Sequence, residues 1–352
     1  YLLKMGDRFA GLVDGVESWE AAPIVKQSRF FEHWVQPFLR KDKKVCVIIS
    51  DALRYEVCEE LLALIRQEDR YGAELEPMLS MLPSFTQLGM AALLPHQSLA
   101  LAENESGTVL LDGQSTQGTA NRSKILNSAL KGHGKAIKFD QFMQLDREGS
   151  RELFKQNEVL YIYHNRIDHT GDKVQSEANA FEAAQQTLDE LIKLVKKLTA
   201  ANATNLLITS DHGFIYQHRP LEESDFSKAE PNGNPILLGK HLVPSNSLHT
   251  FTSAQLGLVG NVEVQLSKSI NRMRLQGSGS RFVHGGATLQ EVVVPVLKIN
   301  KKRQSDTISV EVDILRGSSS VITSGQLAVT FYQAEAVTDK VQARFLRAGI
   351  FT

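Results

Sequence analysis

This sequence predicts an α/β fold, a mostly parallel sheet sandwiched by helices with a smaller β-rich C-terminal segment. Two observations predict it. Three segments, at 45–49, 159–163 and 205–209, read as buried strands, the first a continuous β-branched apolar run bounded by charge, and they alternate with segments that read as helices. Each run then ends in residues that carry chemistry: Ser50-Asp51, then His164 through Asp172, then Ser210-Asp211-His212. Ligands of open α/β sheets collect beyond the carboxyl ends of the strands.

Taken in order, residues 1 to about 40 read as helical. Trp19, Ile24, Phe30, Phe31, Trp34, Phe38 and Leu39 make an irregular apolar stripe suited to packing on a larger body. The charged break Arg40-Lys-Asp-Lys-Lys44 precedes the first buried strand, and 54–67 reads as the helix behind it. The stretch from Met78 to Pro83 is short and apolar. Ser84-Phe85-Thr86 opens a helix over 87–94 that stops at Pro95, and Ser84 or Thr86 suits its N-cap. The Gly/Ser/Asn/Thr-rich stretch 103–122 reads as loop.

After the second strand, 174–200 reads as a long amphipathic helix with Phe181, Leu188, Leu191, Ile192 and Val195 on one side. Residues 214–281 carry little pattern and read as an insertion over the sheet. Strand texture returns over 282–299, with His284-Gly-Gly286 and Val292-Val-Val-Pro-Val296. Beyond the basic run Lys301-Lys-Arg303, residues 308–314 and 327–331 alternate like half-exposed strands. The expected organisation is a helical segment over 1–40, a main domain over 41–300 and a β-rich domain, or part of one, over 301–352.

Composition narrows the function classes. Lys and Arg number 39 against 40 Asp and Glu, so no global basic excess advertises nucleic acid, though a local basic groove remains open. The two cysteines, Cys46 and Cys58, fall on a strand and a helix and read as buried, reduced thiols rather than a disulfide or a metal site. No apolar run reaches transmembrane length and no signal-peptide pattern opens the chain, so a cytoplasmic protein is expected. The chain begins at Tyr1 and stops after Phe351-Thr352, which reads as a piece of a longer protein.

The chemistry rests on Asp51, Asp168, Asp172, Asp211, His212 and His284. Each has an ordinary reading when taken singly. Asp51 suits a helix cap, Asp168 and Asp172 a solvated turn, His284 a turn histidine, and Thr86 an N-cap hydroxyl. Gathered together, the carboxylates would repel one another unless cations neutralised them. Carboxylate oxygens with imidazole nitrogens suit Zn²⁺, Mn²⁺ or a related divalent ion.

Four strings then carry a resemblance. Val45-Cys-Val-Ile-Ile-Ser-Asp51-Ala-Leu-Arg54-Tyr55-Glu56-Val57, Pro83-Ser-Phe-Thr86, Ile208-Thr-Ser-Asp211-His212-Gly213-Phe214 and the run from Val283-His284 to Pro295 resemble, in the same order, the motifs of the PglZ family within the alkaline phosphatase superfamily. The resemblance covers roughly 40–300. It implies an alkaline-phosphatase-like fold and a place in BREX phage defence beside methyltransferase and ATPase partners, with the flanking segments belonging to a larger multidomain protein. It also implies one metal held by Asp51, Asp211, His212 and the Thr86 hydroxyl, and a second held by Asp168, Asp172 and His284.

One position departs from the superfamily pattern, where Asp-x-x-Gly-His is usual. Here the string is Asp168-His-Thr-Gly-Asp172, which shifts the second site toward oxygen ligands and toward Mn²⁺ or Mg²⁺. His169 is an alternative ligand, though spacing and the glycine favour Asp172. The implied mechanism makes Thr86 the nucleophile of a metal-dependent phosphatase or phosphodiesterase, with a nuclease as one form, and Arg54 a candidate phosphate clamp. Lys131, Lys135, Lys138, Arg219, Lys240, Arg272, Arg274 and Arg281 could line a basic approach for a nucleic acid substrate, or could be scattered surface charge. The alternative function is a non-catalytic metal-binding assembly module of the defence complex.

Overall fold

The computed structural model describes residues 2–102, 108–173, 175–218, 237–243, 245–271, 281–315 and 325–349. A seven-stranded sheet forms its centre. Its strands are β1 (Val25–Lys26), β2 (Val45–Ser50), β3 (Tyr71–Leu79), β4 (Gly134–Lys138), β5 (Val159–His164), β6 (Asn205–Thr209) and β7 (Val293–Lys301). The spatial order is β1-β3-β7-β6-β2-β5-β4. Only β7 runs against the rest, between β3 and β6. The sheet is therefore mostly parallel, as the alternation of apolar runs and helices predicts. Pro295 sits within β7 without a backbone donor, and its carbonyl accepts the Thr209 hydroxyl at 2.7 Å.

Helices cover both faces. The chain forms α1 (Leu2–Val13), α2 (Tyr55–Gln67), α3 (Thr86–Ala92), α4 (Gly118–Ala129), α5 (Ile167–Gly171) and α6 (Ala180–Ala200), with further helical pieces between them, among them Arg147–Gln156. Every residue of β2 is buried, and the period-two alternation divides them. Val45, Val47 and Ile49 pack with α3, α4 and the N-terminal segment. Cys46 and Ile48 pack with α2 and α6. Each such aliphatic side chain contributes about 1.5–3 kcal/mol by burial. Both cysteines are free and buried on this second face, as the sequence predicts, and burial pushes both thiols far up.

Several sequence expectations need correction. The N-terminal segment is not helical throughout. Pro23 favours an extended chain before it, and Val25–Lys26 joins the sheet beside Met78 and Leu79. Trp19, Phe30 and Trp34 are buried in the shared core, so the apolar stripe does pack on the body. The strand β3 is hidden in the sequence by Glu74, Glu76 and Pro77; Glu76 sits beside Lys298 and accepts from Trp34 Nε1 at 2.8 Å. The stretch 103–122 is only partly loop. Leu99–Leu101, Val109–Leu111 and Gln114–Ser115 form a small antiparallel sheet, and α4 begins at Gly118. The long helix starts at Ala180, and Phe181 faces outward, 59% exposed, against Tyr216.

Between 237 and 267, Leu237–Gly239, Leu248–Thr252 and Glu263–Ser267 form a three-stranded antiparallel sheet. Its Phe251, Val264 and Leu266 join the α3-side core, which agrees with an insertion over the sheet. In the C-terminal segment the strands are Ile308–Ser309, Val312–Leu315, Thr330–Gln333 and Val341–Gln342, so the alternation expected over 327–331 is displaced to 330–333. Among the described residues no helix is long and apolar enough to cross a membrane.

Candidate metal centre

Register brings the site together. Ile49 of β2 lies opposite both Tyr163 of β5 and Thr209 of β6, so the residues that follow these strands emerge side by side. Asp51, Asp211 and His212 are 4%, 1% and 0% exposed. After Asp51 the chain turns left-handed at Ala52, with φ 59°, a conformation that costs on the order of 1 kcal/mol for a residue bearing a Cβ. That turn aims the Ala52 amide at Asp211 Oδ1, 3.2 Å away. Ser210 Oγ accepts from the Leu53 amide and donates to the His212 carbonyl, locking the two loops.

Thr86 arrives from the other side. It is the first residue of α3, whose N-cap is Phe85 with no side-chain capping bond. Neither Ser84 nor Thr86 is the cap: Ser84 Oγ donates to the Gly286 carbonyl, and Thr86 Oγ1 lies 3.1 Å from His212 Nε2. Gly89, three positions along the helix, makes this possible. Any Cβ there would strike the Asp211 backbone carbonyl, so glycine lets α3 close on the Asp211 loop. Asp51 is not a helix cap either, since α2 begins at Tyr55 with Arg54 before it.

The tautomer of His212 follows from its partners. Its Nδ1 lies 2.9 Å from the Gly213 carbonyl, which can only accept, so Nδ1 carries the hydrogen. Burial lowers the ring's pKa to about 4 against the pull of Asp211, so the ring is neutral near pH 7. The Nε2 lone pair then faces Asp211 Oδ2 at 3.4 Å and Asp51 Oδ1 at 3.6 Å. Burial, with Asp211 and Asp168 nearby, holds the Asp51 carboxyl well above the usual range.

The second group is assembled from looser parts. Asp168 lies in α5 and is 8% exposed, while Asp172 follows that helix with its side chain 55% exposed. His284 Nε2 lies 3.7 Å from Asp168 Oδ1 and 3.5 Å from Asp172 Oδ1, and its ring stacks on His212 at 4.1 Å. Gly285, at φ 105°, turns the chain after it, a conformation disfavoured for any other residue. Glu291 braces that turn by accepting from Gly286 N, Thr288 N and Thr288 Oγ1. Burial pushes Asp168 up to about 7, opposed by His284. Burial would lower His284, but the Asp172 hydrogen bond and the carboxylates Asp168, Asp172 and Asp211 raise it to about 9. Burial would raise Asp172, yet His284 holds it below the usual carboxylate range. His169 is exposed, with Nε2 2.9 Å from the Lys173 ammonium, a poor place for a cation.

This donor set fits divalent ions. Asp51, Asp211 and His212 offer atoms within 4.8 Å of one another, and so do Asp168, His212 and His284. Asp51 Oδ1, Asp168 Oδ1, Asp211 Oδ2 and His284 Nδ1 are buried with no hydrogen-bond partner. Buried, unpartnered carboxylate oxygens facing one another are unfavourable unless protons or cations bridge them.

Other contributors gave little sequence signal. Gln27, fully buried, donates through Nε2 to the Ser210 and Asp211 carbonyls at 3.0 and 2.8 Å and accepts from the Met81 amide at 3.0 Å. It ties the N-terminal segment to both the Asp211 loop and the chain leading to Thr86. Arg122, 6% exposed, donates Nε to the Thr116 carbonyl, and its guanidinium lies 5.0 Å from the Tyr163 ring centroid. Its charge opposes the upward shift of Asp51. Beneath the site, Glu190 accepts from His164 Nε2 at 2.8 Å, and His164 Nδ1 lies 2.9 Å from Ser50 Oγ. Arg54 pairs with Glu56 and lies over the Phe214 ring, 5.0 Å from its centroid, rather than in solvent. Of the basic residues suggested for an approach path, Lys131 precedes β4 and Lys138 ends it, at opposite ends of the sheet. Arg219, Arg272 and Arg274 lie outside the described residues.

Comparison with known proteins adds to this geometry. Residues 30–299 match the family model described as the BREX system PglZ alkaline phosphatase-like domain. An "Alkaline phosphatase-like protein PglZ" of Bacillus cereus (strain H3081.97) is 36% identical over 349 residues, which cover 96% of this chain and 40% of that protein. An "Alkaline phosphatase-like protein BrxZ" of Escherichia coli O9:H4 (strain HS) is 40% identical over 296 residues, 81% of this chain and 34% of that protein. The chain thus spans less than half the length of these relatives. Among solved structures, murine ectonucleotide pyrophosphatase/phosphodiesterase 5 aligns with a TM-score of 0.46 at 14% identity, covering 73% of this chain and 88% of that one. A phosphonoacetate hydrolase from Sinorhizobium meliloti aligns with a TM-score of 0.44 at 10% identity, over 73% and 89%.

Proposed function

This chain belongs to the PglZ family of alkaline phosphatase-like proteins of BREX systems, and from that premise we propose that it is a metal-dependent hydrolase of phosphate esters. The observation that carries the reading is the meeting of Asp51, Asp211 and the His212 Nε2 lone pair beside the Thr86 hydroxyl, with carboxylate oxygens left unpartnered. Asp51, Asp211 and His212, with the Thr86 hydroxyl, would hold one divalent ion, and Asp168, Asp172 and His284 a second. Bound there, Zn²⁺ or Mn²⁺, with Mg²⁺ an option at the oxygen-rich second position, would polarise the phosphoryl group and acidify the neighbouring hydroxyl.

The protein's own groups then have defined tasks. His212, neutral and hydrogen-bonded through Nδ1 to Gly213, is held with its Nε2 lone pair facing Asp51 and Asp211, beside the Thr86 hydroxyl. Thr86 Oγ1 gives up its proton to solvent and attacks phosphorus, the ester P–O bond breaks and the leaving oxygen takes up a proton to depart as an alcohol. Water then hydrolyses the phosphothreonine, releasing the phosphate product and restoring the proton on Oγ1. Burial of Asp51 and Asp211 keeps bulk water from screening the charges at this point. Arg54 would steady the phosphate. The catalytic unit we propose is 41–300, completed by the N-terminal segment, which adds β1 to its sheet and Gln27 to the Asp211 loop. The physiological setting we propose is cytoplasmic, in BREX defence beside methyltransferase and ATPase components, with nucleic acid diesters as one substrate class.

Hydrolysis of a chromogenic phosphate monoester and a diester, after EDTA and after Zn²⁺ or Mn²⁺ is restored, tests this. Metal-dependent turnover is expected. If no metal restores hydrolysis of either ester and Asp211→Ala alters only partner binding, the site serves assembly instead.

A further inference from the structure

Two basic runs that the proposed hydrolysis does not use, 40–44 and 301–303, meet in space. The strand β2 begins, and the oppositely directed β7 ends, at the same edge of the sheet. Lys43, Lys44, Lys301, Lys302 and Arg303 therefore surround one cleft of about 650 Å³, with no carboxylate among its lining residues. Among the described residues, Lys302 alone of the five is neutralised, by Asp306 at 2.7 Å. The ammonium groups of Lys44 and Lys301 donate to main-chain carbonyls, at 3.0 Å to Phe154 and 3.1 Å to Asp69, which hold their positions without cancelling their charge. Lys43 and Arg303 are exposed and have no ion-pair partner among the described residues. Like charges on a concave wall focus a positive field.

We propose that this cleft binds the phosphate backbone of a nucleic acid without reading its bases. The lining favours that over an acidic peptide. Apart from Phe154 it is charged or polar, with Asn202, Thr204, Asn205 and Asn300 between the cations, so it offers little for apolar side chains to bury against. It lies at the amino ends of the parallel strands, about 20 Å along β2 from Asp51, given a rise of roughly 3.3 Å per residue. Binding there is separable from events at the metal centre, and the proposal does not depend on hydrolysis.

The test is fluorescence anisotropy of a labelled oligothymidylate of about 20 nucleotides with this chain in EDTA, titrated at several salt concentrations. The K43E/R303E double variant is expected to bind at least about tenfold more weakly at low salt. Its slope of log affinity on log salt should be shallower by about 1–2, since each phosphate contact contributes roughly 0.7–0.9 to that slope. Thermal unfolding matching the unaltered chain would show that the variant folds. Failure of the unaltered chain to bind, or equal affinity and slope in the folded variant, overturns the proposal. So does displacement by polyglutamate as effective as that by unlabelled oligothymidylate, which would assign the cleft to an acidic protein.

Discussion

The two halves of the candidate metal centre are built differently. Asp51, Asp211 and His212 stand at the ends of paired central strands, essentially excluded from water, and are held by the Ala52 amide, Ser210 Oγ and Gln27. Asp168 and Asp172 come from the five-residue helix α5 and its end, and His284 from a glycine turn braced by Glu291. Asp172 is half exposed where Asp211 is sealed. A half fixed by the sheet is preorganised and fails abruptly when altered, whereas a half carried on short local elements can adjust. The proposed first cation should therefore be tighter and less tolerant of substitution than the second.

Substitution in the sealed half should have the largest effect. Asp211→Ala is expected to cut ester turnover on the order of 10³-fold or more and to remove the first metal; elemental analysis still finding full metal content would break the contrast between the halves. Thr86→Ala should lower turnover to a similar degree while thermal unfolding stays as in the unaltered chain. Undiminished turnover in that variant would mean that the hydroxyl is not the nucleophile. Asp172→Ala should weaken only the second metal, by about 10- to 100-fold; unchanged affinity there, with a loss in His169→Ala, would transfer the role to His169. The pH dependence is gentler. Burial pushes the Asp168 carboxyl up to about 7, against the pull of His284, so the proton on it competes with the cation. His284, held at about 9 by the carboxylates around it, carries a second competing proton, so affinity at the second position should fall as pH drops from about 9 through about 7, with proton release on binding above that of the buffer alone. Calorimetry in two buffers of different ionisation enthalpy reads this directly, and no proton release at pH 6.5 would contradict it. Smallest is Gln27→Ala, which leaves the Met81 amide unpaired and should cost about 1–3 kcal/mol in chemical denaturation.

How much of this was legible in the sequence follows from how local each signal is. The buried strands β2, β5 and β6 each hold a compact apolar run with polar residues at its end, so they and the residues behind them could be read directly. The residues Asp51, Asp168, Asp211 and His212 inherit that legibility. The strand β3 could not be read, because Glu74, Glu76 and Pro77 break its pattern and Glu76 is satisfied by Trp34 and Lys298 from far along the chain. The edge strand β4 is short and carries two lysines, which suits an edge and hides a strand. Thr86 was ambiguous because a hydroxyl at a helix start suits a cap equally well; only the approach of α3 through Gly89 and the nearness of His212 separate the two roles. Gln27 and Arg122 carry no motif. They matter because the fold brings them within reach of Asp211 and Asp51, and glutamine or arginine in a short polar stretch looks like surface.

The central claim is that two cations sit on one donor set, sealed at Asp51, Asp211 and His212 and half open at Asp172. Anomalous diffraction from crystals grown with Zn²⁺ or Mn²⁺, recorded on either side of the metal's absorption edge, tests it most directly. The account predicts two peaks, the stronger bounded by Asp51, Asp211, His212 and Thr86 and the weaker by Asp168, Asp172 and His284. A metal-saturated crystal with no peak at the Asp51–Asp211–His212 group would contradict it.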